Sequence, residues 1–127
     1  MRLLLIVEDD QDTRSTLADL QAEFGYSVCD ATNRATALAK LRSLHPDLVL
    51  LDYGLPAPKD GEEFLLAKAS DVEIRAIPVI VLSAYNLPVK MDGTVAVLRK
   101  PCDLDRLIEV VQQVIGPPHT PKSTAAA

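Results

Sequence analysis

Three short aliphatic runs in this chain each end on a charged residue. LLLIV meets Glu8, Asp9 and Asp10; LVLL meets Asp52; VAVL passes through Arg99 to Lys100 and Pro101. An aliphatic run too short for a helix and bounded by polar residues reads as a buried strand. Because the charges stand at the tips, such strands can lie side by side in a core while their ends gather ionic groups. In a parallel sheet those ends form the crevice where open α/β folds bind ligands. Acids, a lone aspartate and a lysine would then share one small site. Crowded carboxylates call for a divalent cation, and the lysine calls for an anion.

Helix-like segments separate the strand-like ones. Leu3–Val7 reads as a strand. Leu17, Leu20 and Phe24 then recur at helical spacing, and Gly25 closes that helix. Ser27–Ala31 is a second strand. Asn33 caps a helix whose Ala37, Leu38, Leu41 and Leu44 face inward and which Pro46 ends. Leu48–Leu51, apolar at every position, is a third strand buried on both faces. Tyr53–Gly61, with Pro56, Pro58 and an Asp60–Gly61 turn, reads as a loop, and Phe64 and Leu65 mark the inner face of a third helix. Pro78–Leu82 and Val95–Leu98 are the fourth and fifth strands, with the weakest pattern between Asn86 and Gly93. The last helix, capped by Asp103, carries Leu104, Leu107, Ile108, Val111, Val114 and Ile115 on one stripe. Apolar strands alternating with helices predict a parallel sheet with right-handed crossovers.

The 127 residues suit one domain, expected over 1–116, with a flexible tail over 117–127 whose closing alanines an expression vector could supply. A net charge of −5 argues against a nucleic-acid surface. Cys29 and Cys102 do not have metal-site spacing and are expected to be reduced thiols. The N-terminal apolar stretch is shorter than the roughly 7–15 residues of a signal-peptide core, and acids follow it at once. No segment has the length of a membrane span, so the expected location is cytoplasmic.

Taken singly, the candidate residues are ordinary. Asp52 could cap a turn, Ser83 could be a strand-end hydroxyl, and Lys100 a solvated charge. Asp10 and Asp12 suit the N-terminus of a helix. For Glu8 and Asp9 the metal reading is the stronger one, because adjacent carboxylates at a strand tip repel unless neutralised. The Gly54 carbonyl could supply a further oxygen.

Together the motifs IVEDD, LVLLDYGLP with a following DG, PVIVLSA and LRKP, in that order, resemble the receiver domain of two-component response regulators across residues 1–116. The resemblance implies an α/β, flavodoxin-like, doubly wound five-stranded parallel sheet of order 2-1-3-4-5. It implies that Asp52 is the phosphoacceptor, loaded by a sensor histidine kinase or a histidine phosphotransfer protein. Asp9 and Asp52 would bind Mg²⁺ directly, Glu8 through water and Gly54 through its carbonyl. Lys100 would pair with the phosphoryl group and Ser83 would donate its hydroxyl to it. Such a module catalyses only its own phosphorylation and dephosphorylation. It acts through protein contacts, including a phosphorylation-dependent dimer, and not on nucleic acid or membrane.

The chain departs from that pattern in places. Val97 stands three residues before Lys100, where receivers usually carry the Tyr or Phe that moves on switching. The short Ser83–Lys100 interval predicts a stunted fourth helix. Tyr85 could take over the aromatic switch role, as in a subgroup of single-domain receivers, or simply gate access to Asp52. PAPKDG holds one extra residue, and Cys102 replaces a common Phe. Two competing readings are a flavin-binding electron carrier and a degenerate receiver acting as a phosphorylation-independent scaffold. The first needs a phosphate-cradling loop where this chain has EDDQD. The second must explain why all the principal site residues are present.

Overall fold

A computed structural model of the chain describes residues 2–53, 58–83, 93–99 and 104–116, without the side chains of residues 20, 58–60 and 104. The described elements run β1 (Leu3–Val7), α1 (Gln11–Glu23), β2 (Ser27–Ala31), α2 (Arg34–Leu44), β3 (Leu48–Asp52), α3 (Pro58–Ala69), β4 (Val79–Ser83), β5 (Thr94–Arg99) and α4 (Leu104–Ile115). The strands form one parallel sheet of order β2-β1-β3-β4-β5. This is the doubly wound arrangement expected. The stunted helix expected between β4 and β5 and the Asp103 cap fall outside the described residues.

Side-chain alternation sorts the central strands between two cores. Leu5, Val7, Val49, Leu51, Val79 and Val81 pack with Ala37 and Leu41 of α2 and Phe64 and Leu65 of α3. Leu4, Ile6, Leu48, Leu50, Ile80 and Leu82 pack with Leu17 of α1 and Leu107, Val110 and Val111 of α4. Period-2 alternation therefore runs through strands that are apolar at every position, because a helix layer covers each face. α2 and α3 run side by side and are linked at both ends: Arg34 pairs with Glu63, and Arg42 Nε lies 2.8 Å from Asp71 Oδ2.

The helix ends show local chemistry. The Asn33 side chain accepts from Thr36 N at 2.9 Å, the expected N-cap. Gly25, at φ 96°, closes α1 as expected. His45, rather than Pro46, ends α2: it takes the left-handed conformation at φ 46° and its N–H returns to the Leu41 carbonyl. At these ends two apolar residues leave the core. Phe24 lies beyond α1 and Leu44 is the last residue of α2, and both are exposed.

The expected loop over Tyr53–Gly61 is shorter than the sequence suggests. Pro58–Gly61 already belongs to α3. Proline is tolerated in a first helical turn, where its missing N–H has no intrahelical role. Gly61 is there because a Cβ would stand 2.3 Å from the Tyr53 carbonyl oxygen. Near the end of α3, Lys68 is fully buried and donates from Nζ to the Arg75 carbonyl at 3.0 Å. Burial lowers its pKa.

In β5, Val95 is the extra residue where the register shifts between Val79↔Thr94 and Ile80↔Ala96, and it is exposed. Among the described residues, no helix is long and apolar enough to cross a membrane.

Candidate functional site

The register of the sheet assembles the site. Val7 pairs with Leu51, so Glu8 and Asp52, each one residue further on, emerge side by side at the same rim. Asp52 pairs with Leu82, which puts Ser83 at that rim as the next residue of β4. Glu8, Asp9 and Asp52 each offer a carboxylate oxygen, and these oxygens lie within 4.8 Å of one another. Glu8 and Ser83 are almost wholly buried, Asp52 keeps 9% of its surface, and Asp9 is exposed. The cluster is thus embedded on the sheet side and open on the Asp9 side.

Local bonds hold the acidic turn in place. Glu8 N donates to the Ala31 carbonyl at 3.0 Å, extending the β1–β2 ladder by one residue. Asp10 N donates to Glu8 Oε2 at 3.2 Å. Asp10 Oδ2 accepts from Thr13 N at 2.8 Å and Thr13 Oγ1 at 2.7 Å, so Asp10 caps α1 and stands apart from the metal-type cluster, as expected. Arg14 Nη1 donates to the Glu8 carbonyl at 3.1 Å, a contact that the reading of the sequence did not foresee. A cation in the first turn of a helix runs against the macrodipole, and that was the available signal.

On the other side, Tyr53 N donates to the Leu82 carbonyl at 3.0 Å and ties the end of β3 to β4. Burial, with the Glu62 charge as a lesser cause, pushes the Tyr53 phenol up, so it stays neutral. Val97 is half-buried and packs on the core beneath α2 and α3. Gly54, Tyr85, Lys100 and Cys102 lie outside the described residues. Lys100 directly follows Arg99, whose strand partner is Ser83.

Three carboxylates this close repel by roughly 3 kcal/mol per pair at an effective dielectric near 20. Hard oxygen donors few enough to leave room for water and a phosphoryl oxygen suit Mg²⁺. The donor set therefore fits that ion.

A family model described as response regulator receiver domain matches residues 4–112. The chain belongs to that family. It is 31% identical over 118 residues to the polar-differentiation response regulator DivK of Brucella ovis, covering 89% of this chain and 95% of DivK. It is 34% identical over 79 residues to the CAI-1 autoinducer sensor kinase/phosphatase CqsS of Vibrio cholerae, covering 62% of this chain but only 12% of that kinase. Among solved structures, chemotaxis protein CheY4 of Vibrio cholerae superposes with a TM-score of 0.81 at 26% identity, over 90% of this chain and 98% of that one. The N-terminal domain of a response regulator/sensory box/GGDEF protein from Carboxydothermus hydrogenoformans gives 0.77 at 28% identity, over 90% and 94%.

Proposed function

We propose that Asp52 accepts a phosphoryl group from a phosphohistidine of a sensor kinase or histidine phosphotransfer protein, and that the modified rim switches protein contacts. The observation that carries this is the three-carboxylate cluster at the end of the central strand, with Asp52 nearly enclosed in it. An oxygen of Asp52 forms the new O–P bond as the N–P bond of the donor breaks, and the imidazole keeps the electron pair and takes a proton. Water later attacks phosphorus, releasing phosphate and restoring the carboxylate, so the chain turns over only its own acyl phosphate. Asp9, Asp52 and the Gly54 carbonyl would hold Mg²⁺ directly, and Glu8 through water. That ion supplies neutralisation of the phosphoryl oxygens.

Ser83 is assigned the hydroxyl that meets a phosphoryl oxygen, and Lys100 the counter-charge. Phosphorylation brings roughly −1.5 to −2 charge units to the rim. Moving a 1:99 equilibrium to 99:1 takes about 5.5 kcal/mol of differential interaction, within reach of several charge-assisted hydrogen bonds. Tyr85 is the candidate for the aromatic that follows this change, since the position three residues before Lys100 holds Val97, an aliphatic residue packed half-buried against the core. The partners are the phosphodonor and a protein target that distinguishes the two states, a second copy of the chain among the candidates. The domain is assigned to residues 1–116.

The test is incubation with acetyl phosphate or phosphoramidate and Mg²⁺, followed by intact-mass measurement. One added phosphoryl group in the wild type and none in Asp52→Ala is the expected result. No gain with any donor or divalent cation would overturn the assignment in favour of a phosphorylation-independent scaffold.

A further inference from the structure

We infer that Arg14 is a positioning residue for the cation site: it fixes the peptide from which Asp9 projects and so sets the carboxylate geometry. This rests on the proposed Mg²⁺ site. Arg14 Nη1 donates to the Glu8 carbonyl at 3.1 Å, while its Nε lies 3.4 Å from Asp30 Oδ2 at the end of β2. The Arg14 side chain is only 17% exposed, although Asp30 is 50% exposed.

The ion pair does not account for an arginine at this position. Half-exposed pairs contribute little to stability, roughly 0–1 kcal/mol. The first turn of a helix also disfavours a cation. What remains is the carbonyl bond. The peptide joining Glu8 to Asp9 is planar, so holding its oxygen orients the whole unit. Glu8 N is held on the other side by the Ala31 carbonyl at 3.0 Å. Residue 8 is therefore clamped at both of its backbone polar groups: one bond comes from β2 and one from α1. Asp9, the exposed member of the cluster, follows directly from that clamp.

Charge and geometry predict opposite outcomes, which makes the inference decidable. Arg14 is a fixed cation beside an acidic cluster, so on electrostatics alone its removal tightens Mg²⁺ binding. If it positions the turn, removal weakens binding. Partners that orient metal ligands typically affect affinity by about 10–100-fold when lost.

The experiment is isothermal titration of Mg²⁺ into the wild type, Arg14→Met, Arg14→Lys and Asp30→Asn. Urea midpoints without Mg²⁺ serve as the control for folding. Arg14→Met is expected to bind Mg²⁺ about tenfold more weakly or worse. Arg14→Lys, which keeps one donor for the carbonyl, should recover much of that loss. Asp30→Asn, which leaves the carbonyl bond intact, should stay close to wild type. At saturating Mg²⁺ the acetyl phosphate reaction of Arg14→Met should approach the wild-type rate, so the effect falls on cation affinity and not on the maximal rate. Unchanged or tighter binding in Arg14→Met overturns the inference and leaves the Mg²⁺ site standing. If Arg14→Met does not fold, a loss of affinity in Asp30→Asn with none in Arg14→Lys overturns it equally. A wild-type chain that binds no Mg²⁺ removes the site and this role together.

Discussion

Gly61→Ala tests whether the start of α3 braces the phosphoacceptor strand. An alanine Cβ would lie 2.3 Å from the Tyr53 carbonyl oxygen and 3.0 Å from Tyr53 C and Cα. Carbon and carbonyl oxygen rest at about 3.3 Å even in close contacts, so roughly 1 Å of movement is required. No side-chain rotation can relieve it, because alanine has no rotamer to change and the atoms it meets are backbone. Forced overpacking costs roughly 1–3 kcal/mol. Alanine returns about 1 kcal/mol of helix propensity relative to glycine. An overlap of about 1 Å with backbone belongs in the upper part of the overpacking range, about 2–3 kcal/mol, so the net expectation is a loss of about 1–2 kcal/mol.

With a urea dependence of about 2 kcal/mol per molar, mid-range for a small domain, the unfolding midpoint should fall by about 0.5–1 M at unchanged slope. Tyr53 follows Asp52 and is bonded to the Leu82 carbonyl, so relief of the clash displaces the acceptor. A misplacement near 1 Å slows a positioned reaction by about 100-fold, and phosphorylation from acetyl phosphate should drop by about 10–100-fold. A Gly61→Ala protein with a higher midpoint and normal phosphorylation would refute the bracing contact.

Two further substitutions read out pH. Tyr26 donates its phenol hydrogen to the Gly116 carbonyl at 2.9 Å, and burial raises its pKa above the ordinary 10.0. Its contribution is therefore full below the unfolded value and is lost as pH rises through the higher folded one; Tyr26→Phe should cost about 1 kcal/mol at neutral pH. Urea midpoints of the two proteins should converge in strong alkali, and a gap of constant size would sink the assignment. Asp71 is held below the ordinary 3.8 by its hydrogen bond from Arg42 first and by Glu73 N second. Being depressed, it stabilises the fold above the unfolded value, and that contribution disappears as pH falls through the folded one. Asp71→Asn should lower the midpoint slightly at neutral pH and match the wild type in strong acid; a difference that survives acidification would point to packing and not charge.

The parts legible in the sequence were those decided by burial alone. β1 falls on the expected residues because aliphatic and polar positions meet abruptly at its ends. The acidic cluster was legible for a related reason: Glu8, Asp9 and Asp52 sit where the aliphatic runs stop. Positions decided by contacts distant in sequence were not legible. Pro58–Gly61 carries turn residues, and only the Tyr53 carbonyl explains why glycine serves inside a helix there. Nothing local marks Lys68 for burial; the Arg75 carbonyl, seven residues on, is what accepts from its ammonium. Leu44 keeps the helical period yet is exposed, because His45 turns the chain away at the end of α2. Val110 lies off the stripe expected for α4 and is nonetheless buried. Arg14 carries no motif, and its role follows from where the Glu8 carbonyl points.

The same register builds the core and compresses the site. Sliding β3 by one residue against β1 would move Asp52 about 3.3 Å along the strand and relieve the carboxylate crowding. It would also turn Leu48, Leu50, Val49 and Leu51 to the wrong faces. Helices cover both faces, so these side chains would stay buried but misfit their new neighbours, at about 1–3 kcal/mol for each overpacked site. Four such misfits outweigh the roughly 3 kcal/mol that the shift would relieve over the two pairs that Asp52 makes with Glu8 and Asp9. The repulsion is therefore held in place by packing that takes no part in the chemistry. A cation at the rim meets carboxylates already converged, and the work of bringing them together has been done by folding.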